Sequence, residues 1–265
     1  MQLTDHDWPV AWDSAGAGEP VLLLNGLSSP SSTWFRLRRA LSPTFRVITV
    51  DNRGTGSTGT PPGPYPMEVL AADALAVLDA AGVEAAHVVG HSMGGLIAQE
   101  LALTAPDRVR SLVLAATHTG IPHARPEELG AATELAAAAA MTPEDRLIAL
   151  SGLLYARGTA TELIAEDEAV RAAQPTSAEG YEAQLRGAVL WERLADLPTL
   201  RIPTLVLHGS ADRVVPLSMG LRLTAAIPHA TLHVLPGAGH ALFTDAETEV
   251  AQAISSFFST QAVTA

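Results

Sequence analysis

The sequence predicts an α/β fold: a mostly parallel central sheet flanked by helices, with a helical lid insertion over one edge. Three observations carry that prediction. Short apolar runs alternate with helical patterns through most of the chain, as βαβ units do. One of the runs passes straight into a helix through a Gly-x-Ser-x-Gly turn. The alternation then stops once, from about residue 119 to 196, where only Ala-rich helical segments occur.

Taken in order, Val21–Leu24 reads as a buried strand, followed by Arg46–Val50, Ala86–Val89, Ser111–Leu114, Thr204–Leu207 and Thr231–Leu235. Helical patterns fall at about 34–41, 67–81, 93–105 and 217–226. A last helix is expected to open at Thr244, where Glu247 three residues on completes a capping-box pattern. Val250, Ile254 and Phe257 would then form its apolar face. In the insertion, Thr133–Ala140 and Asp145–Tyr155 are the clearest helices. The expected organisation is a first core part over residues 1–118, the lid over 119–196 and a second core part over 197–265. The Gly- and Pro-rich stretch 54–66 reads as a loop, because the sheet pattern resumes after it.

Composition narrows the chemistry. The 265 residues include no Cys, which excludes disulfides, thiolate zinc sites and a Cys nucleophile. All sixteen basic residues are Arg, so Schiff-base chemistry and a phosphate-loop lysine are excluded as well. A covalent mechanism must use a hydroxyl, a carboxylate or a His. The net charge of −12 disfavours nucleic acid and anionic membranes as partners. Met1–Asp7 has neither the basic start nor the apolar run of a signal peptide, and no stretch has the length of a membrane span. A soluble, cytoplasmic protein acting on a small molecule is expected.

Gly90-His91-Ser92-Met93-Gly94 lies between the strand ending at Val89 and the helix opening at Met93. A direct strand-to-helix turn holds its serine in a strained conformation with the hydroxyl above the sheet. Side chains two residues either way would crowd that turn, so glycines stand at 90 and 94. Ser92 is therefore the candidate nucleophile. Of the nine histidines, only His240 follows the last strand behind a hinge, Pro236–Gly239, that can fold back over the sheet edge. It is the candidate base. Asp212, in the turn after the penultimate strand, can accept the imidazole N–H and fix its tautomer; a role in the turn itself, or as a cap, is the alternative. Asn25-Gly26-Leu27 follows the first long strand, and the backbone N–H groups of Leu27 and Met93 are candidates for an oxyanion hole. Gly54-Thr-Gly56-Ser-Thr-Gly59 matches a dinucleotide fingerprint, but it runs into Pro61-Pro62-Gly63-Pro64, where no helix can form to meet a pyrophosphate. That match is accidental.

These residues resemble the α/β-hydrolase superfamily. The order Ser92, Asp212, His240 is that of its nucleophile, acid and histidine. Asp51–Ser57 looks like the D-x-R-G-x-G-x stretch of its D-x-R-G-x-G-x-S loop, Pro236–His240 is similar to its histidine loop, and Asn25 stands where many members have His. Within the superfamily the pattern looks most like small bacterial esterases and enol-lactonases. The resemblance implies attack by Ser92 on an acyl carbonyl, proton uptake by His240, an acyl-enzyme, and release by water, with no metal and no organic cofactor. It leaves open a thioester, a carbon–carbon bond, or cofactor-free perhydrolysis by the same triad, and in another class a non-catalytic ligand-binding scaffold. Leu153, Leu154, Tyr155 and Trp191 in the lid, with Trp34 and Val215, are candidates for the wall of a mostly apolar substrate pocket.

Overall fold

The computed structural model describes residues 1–5 and 7–261. One sheet contains β1 (Gln2–Leu3), β2 (Ala11–Ala15), β3 (Pro20–Leu24), β4 (Arg46–Val50), β5 (Ala86–His91), β6 (Val109–Ala115), β7 (Thr204–Gly209) and β8 (Thr231–Leu235), in the order β1-β2-β4-β3-β5-β6-β7-β8. From β3 to β8 every pairing is parallel. The sequence reading omits β2, which adds antiparallel to β4 with Trp12 opposite Val50, and β1, which adds antiparallel to β2. Their omission has a physical reason. The strand Ala-Trp-Asp-Ser-Ala lies near one edge, only Ala11 and Trp12 of it are buried, and it shows neither a continuous apolar run nor a clean alternation.

Helices cover both faces, and the strands show it residue by residue. Leu22, Leu24, Ile48 and Val88 point into a core shared with α2 (Met67–Ala80), α3 (Met93–Thr104) and α8 (Leu217–Ala226). Val21, Leu23, Val47 and Val89 point the other way, against α1 (Phe35–Leu41) and α10 (Glu247–Gln261). Burial on both sides is why the strands appear in the sequence as continuous apolar runs.

Between β6 and β7 the chain makes α4 (Ala132–Ala138), α5 (Pro143–Leu154), α6 (Thr161–Ala173) and α7 (Ala178–Leu190). Helix α7 lies directly on the core backbone. Its Gly180 approaches Gly54, the Tyr65 N–H donates to the Ala183 carbonyl at 3.0 Å, and a Cβ on Gly187 would sit 1.8 Å from the Tyr65 carbonyl oxygen. No side chain fits there. Gly187→Ala is expected to lower stability by about 1–3 kcal/mol through overpacking, read as a lower thermal midpoint; an unchanged midpoint would remove α7 from the packed core.

The last helix departs from expectation. A short turn, α9 (Leu242–Asp245), precedes α10, and the Thr244 hydroxyl donates to Asp167 of α6 instead of capping α10. The buried face of α10 is Val250, Ile254 and Phe258, spaced by four, while Phe257 is only half-buried. Among the described residues no helix is long and apolar enough to cross a membrane. Because β5, β7 and β8 are parallel, the segments following their carboxyl ends emerge at one edge of the sheet, and that edge carries the site.

Candidate active site

Ser92 has φ 55° and ψ −120°, a conformation rarely adopted by an L-residue. Three contacts hold it there. Its N–H donates to the Ala115 carbonyl at 2.9 Å, its carbonyl accepts the Thr117 hydroxyl at 2.7 Å, and the Gly95 N–H donates to the same carbonyl at 2.9 Å. The flanking glycines are sterically required. A Cβ on Gly94 would lie 2.0 Å from the Leu24 carbonyl oxygen, and one on Gly90 would lie 2.3 Å from that of Gly94.

The three side chains singled out in the sequence meet. His240 Nε2 is 3.0 Å from Ser92 Oγ, and His240 Nδ1 is 2.9 Å from Asp212 Oδ2. Asp212 divides its two oxygens between two tasks. Oδ1 accepts the Val214 and Val215 N–H groups at 2.8 and 2.9 Å, which locks the turn, and Oδ2 faces the imidazole. The turn role and the histidine-partner role are thus compatible. Asp212 is buried, and burial alone would raise its carboxyl pKa. The charge and hydrogen bond of His240, with help from His208 and the Val215 N–H, outweigh that and hold it below the ordinary carboxylate value. The carboxylate held ionised beside the imidazole can accept its Nδ1–H and leave the Nε2 lone pair facing the Ser92 hydroxyl, an arrangement able to carry a proton from the hydroxyl to the ring.

Gly26 lies against the serine: a Cβ there would be 3.1 Å from Ser92 Cβ. Among the described residues neither the Leu27 nor the Met93 N–H donates to a protein acceptor, so both remain available at this edge. The Asn25 side chain, at the position of the departure from the family pattern, donates to the Pro30 carbonyl at 2.7 Å and shapes the loop from within.

The remaining sequence candidates fall in different places. Trp34 is buried and meets Phe243 edge-on at 4.8 Å and His91 at 6.4 Å, lining a small cavity of about 40 Å³ with Asn25, Thr244 and Arg171. Val215 is buried, and besides the bond of its N–H to Asp212 its carbonyl accepts from His208 Nε2 at 2.8 Å. The Leu154 carbonyl accepts the Ala241 N–H at 2.8 Å, and Leu153 beside it is half-buried. Tyr155 is buried in a polar cluster in which its hydroxyl donates to Asp167 at 3.2 Å and accepts from Arg171 at 2.9 Å. Trp191 packs in the core cluster behind α3 with its indole N–H on the buried Glu100 carboxylate at 3.0 Å. Tyr155 and Trp191 thus each hold a polar partner inside the protein that their apolar character in the sequence does not announce.

Sequence reasoning did not find Asp245. Its Oδ2 accepts the N–H of Gly239, next to His240, at 2.7 Å and that of Ala156 at 3.0 Å. Asp245 thereby ties the histidine loop to the α5–α6 connection, and nothing local in the sequence marks it. No group of three or more metal-ligating side chains occurs among the described residues.

Two further histidines crowd the site. Burial and the neighbouring His240 push the His91 imidazole down to about 3, and the same causes push His118 down to about 4. With folded values below the unfolded one, the unfolded chain takes up protons first as pH falls, so these two groups cost nothing well above about 6.5 and lower stability progressively on the acid side. At pH 5.5 the cost from His118 is on the order of 1 kcal/mol. Denaturant midpoints at pH 7.5 and 5.5 are expected to differ in that direction, and less so in His118→Asn; an equal pH response in the variant would refute the assignment.

A family model described as alpha/beta hydrolase fold matches residues 19–247. The protein assigned as carbamate hydrolase RutD in Azorhizobium caulinodans is 35% identical over 244 residues, covering 89% of each chain. A thermophilic esterase from Thermogutta terrifontis superposes with a TM-score of 0.85 at 27% identity, over 98% of this chain and 99% of that one. The enol-lactonase from Burkholderia xenovorans LB400 gives 0.83 at 25% identity, over 95% and 96%. A parallel sheet with a strained serine between β5 and α3, and likeness along nearly the whole chain, lead to one conclusion: this chain belongs to the α/β-hydrolase family.

Proposed function

We propose that the protein is a serine hydrolase that cleaves a carboxylic ester or lactone of a small, mostly apolar substrate through an acyl-enzyme on Ser92. The observation that carries this reading is the unbroken hydrogen-bond path Ser92 Oγ–His240 Nε2, His240 Nδ1–Asp212 Oδ2, at 3.0 and 2.9 Å. His240 takes the hydroxyl proton as Ser92 Oγ attacks the acyl carbon. The resulting oxyanion is met by the Leu27 and Met93 N–H groups. The imidazolium then protonates the leaving alkoxide, and water, deprotonated by the same ring, releases the acid. The positive end of α3 stands beneath the developing charge. The names of the three relatives, a carbamate hydrolase, an esterase and an enol-lactonase, all denote attack on an acyl carbon, which supports the reaction class. The helical insertion acts as the lid, and Trp34 with Phe243 supplies apolar surface beside the site.

The test is a panel of esters, lactones and thioesters, with hydrogen peroxide offered as a second acyl acceptor, run on wild type and Ser92→Ala. Turnover of short, uncharged esters or lactones that disappears in the variant is expected. Preference for polyanionic substrates, or a thioester rate far above every oxygen ester, would contradict the substrate class.

A further inference from the structure

The donor loop 25–30 is braced from within by Asn25 and by the Ser29 N–H, but neither bond reaches the backbone N–H or carbonyl of Ser28. Ser28 has φ 62°, in the left-handed region where a side chain is disfavoured. The residue there is not glycine, so the conformation carries a side-chain penalty that contacts to the Ser28 backbone must offset.

Two residues of the helical insertion supply these contacts. Gln184 of α7 is fully buried, and its Oε1 accepts the Ser28 N–H at 2.8 Å. Its Nε2 donates to the Arg53 carbonyl at 2.7 Å, and Arg53 is itself clamped to Asp73 by two bonds of 2.7 and 2.8 Å. Both ends of the amide are therefore fixed. Thr176, just before α7, donates its hydroxyl to the Ser28 carbonyl at 3.2 Å.

The consequence for Leu27 follows from peptide planarity. The Leu27 N–H belongs to the peptide whose carbonyl is Gly26, and that carbonyl accepts the Ser29 N–H at 3.3 Å. In a trans peptide the N–H points opposite the carbonyl, so this bond sets the direction of the Leu27 donor. The next plane, between Leu27 and Ser28, is the one gripped by Gln184. The third, between Ser28 and Ser29, carries the carbonyl gripped by Thr176. Releasing either grip lets Ser28 relax out of its left-handed conformation and turns the Leu27 N–H with it.

The geometry points to Gln184 as a positioning residue for the oxyanion donor: through Ser28, α7 sets the aim of the Leu27 N–H toward the charge formed at Ser92. The inference rests on the serine-hydrolase reading above. It makes the insertion a working part of the site as well as its cover. Thr176 acts in the same direction from the other side of Ser28.

Gln184→Met keeps the side-chain length and removes both polar atoms. Per active site, titrated with a fluorophosphonate, kcat for an ester substrate is expected to fall about 10- to 100-fold with KM within about threefold, short of the 10²–10³ lost when a donor is deleted outright. A trifluoromethyl ketone reports the same donor directly. Ser92 Oγ adds to its carbonyl carbon, the hydroxyl proton passes to His240, and the carbonyl oxygen becomes an oxyanion. Its affinity is expected to weaken by the same factor as kcat. Adding Ser28→Gly to the Met variant should return kcat at least about threefold, since glycine takes φ 62° without a side-chain penalty. If Gln184→Met does not fold, Thr176→Val is read in the same way, with a smaller loss of roughly 3- to 10-fold. Unchanged kcat per active site and unchanged ketone affinity in a folded variant overturn the proposal while leaving the serine mechanism standing. Turnover that survives Ser92→Ala overturns both.

Discussion

Ser92→Ala is expected to lower kcat for the best ester substrate on the order of 10⁵- to 10⁶-fold, with the thermal midpoint within a few degrees of wild type. That corresponds to about 7–8 kcal/mol of barrier. The size follows from the single hydroxyl at the head of the relay. With it gone, His240 has no proton to take at 3.0 Å, and only the backbone donors and the bound geometry remain to assist water. Stability should be nearly unaffected, because the elbow is held through backbone and neighbours: the bond to the Ala115 carbonyl, the Thr117 hydroxyl and the two flanking glycines are independent of the serine side chain. Alanine at φ 55° carries a strain similar to that of serine. The measurement is steady-state turnover beside a melting curve. Activity within tenfold of wild type would remove Ser92 from the chemistry.

Asp212→Asn is expected to be the next largest effect, about 10⁴-fold in kcat with the fold intact. The carbonyl oxygen of asparagine can keep accepting the Val214 and Val215 N–H groups, as Oδ1 does now. Its amide nitrogen then faces His240 Nδ1 and donates where the carboxylate accepted. The ring must turn its lone pair to the amide and carry its proton on Nε2, pointing at the Ser92 hydroxyl. That tautomer cannot take a proton from serine. The replacement of a charged by a neutral partner also removes the stabilisation of the imidazolium. Asp212→Ala adds loss of the turn and should additionally lower the melting temperature, which separates the two tasks of this carboxylate. Equal kcat in Asp212→Asn and wild type would show that the tautomer is set elsewhere.

Much of this architecture was legible because its causes are local. The parallel strands β3 to β7 are buried on both faces over most of their length, so each leaves a run of apolar residues in the sequence. The serine turn leaves its glycines, since a Cβ at 90 or 94 would collide with backbone only two to three ångströms away. What stayed hidden depends on contacts between distant parts of the chain. β2 is a short strand near the edge with Asp13 and Ser14 in it, and only its pairing with β4 makes it a strand. Thr244 has the sequence environment of a cap, but Asp167 from α6 takes its hydroxyl. Phe257 and Phe258 are adjacent, and the choice between them depends on whether α10 presents a spacing of three or of four to the sheet. Trp191 reads as purely apolar in the sequence, while its indole N–H is held by Glu100, 91 residues away. Gln184 and Asp245 are ordinary polar residues of helical segments, and what they hold includes partners 156 and 89 residues away. Pattern reading reaches elements and motifs; the supports of a site lie beyond it.

The most direct test is the mass of the protein after exposure to a fluorophosphonate, followed by mapping of the modified peptide. One adduct per chain on the hydroxyl of residue 92, abolished when His240 is replaced by alanine, is the result expected of a serine made nucleophilic by its imidazole neighbour. Modification at another residue, or an unreactive wild-type protein that still hydrolyses esters, would contradict the account.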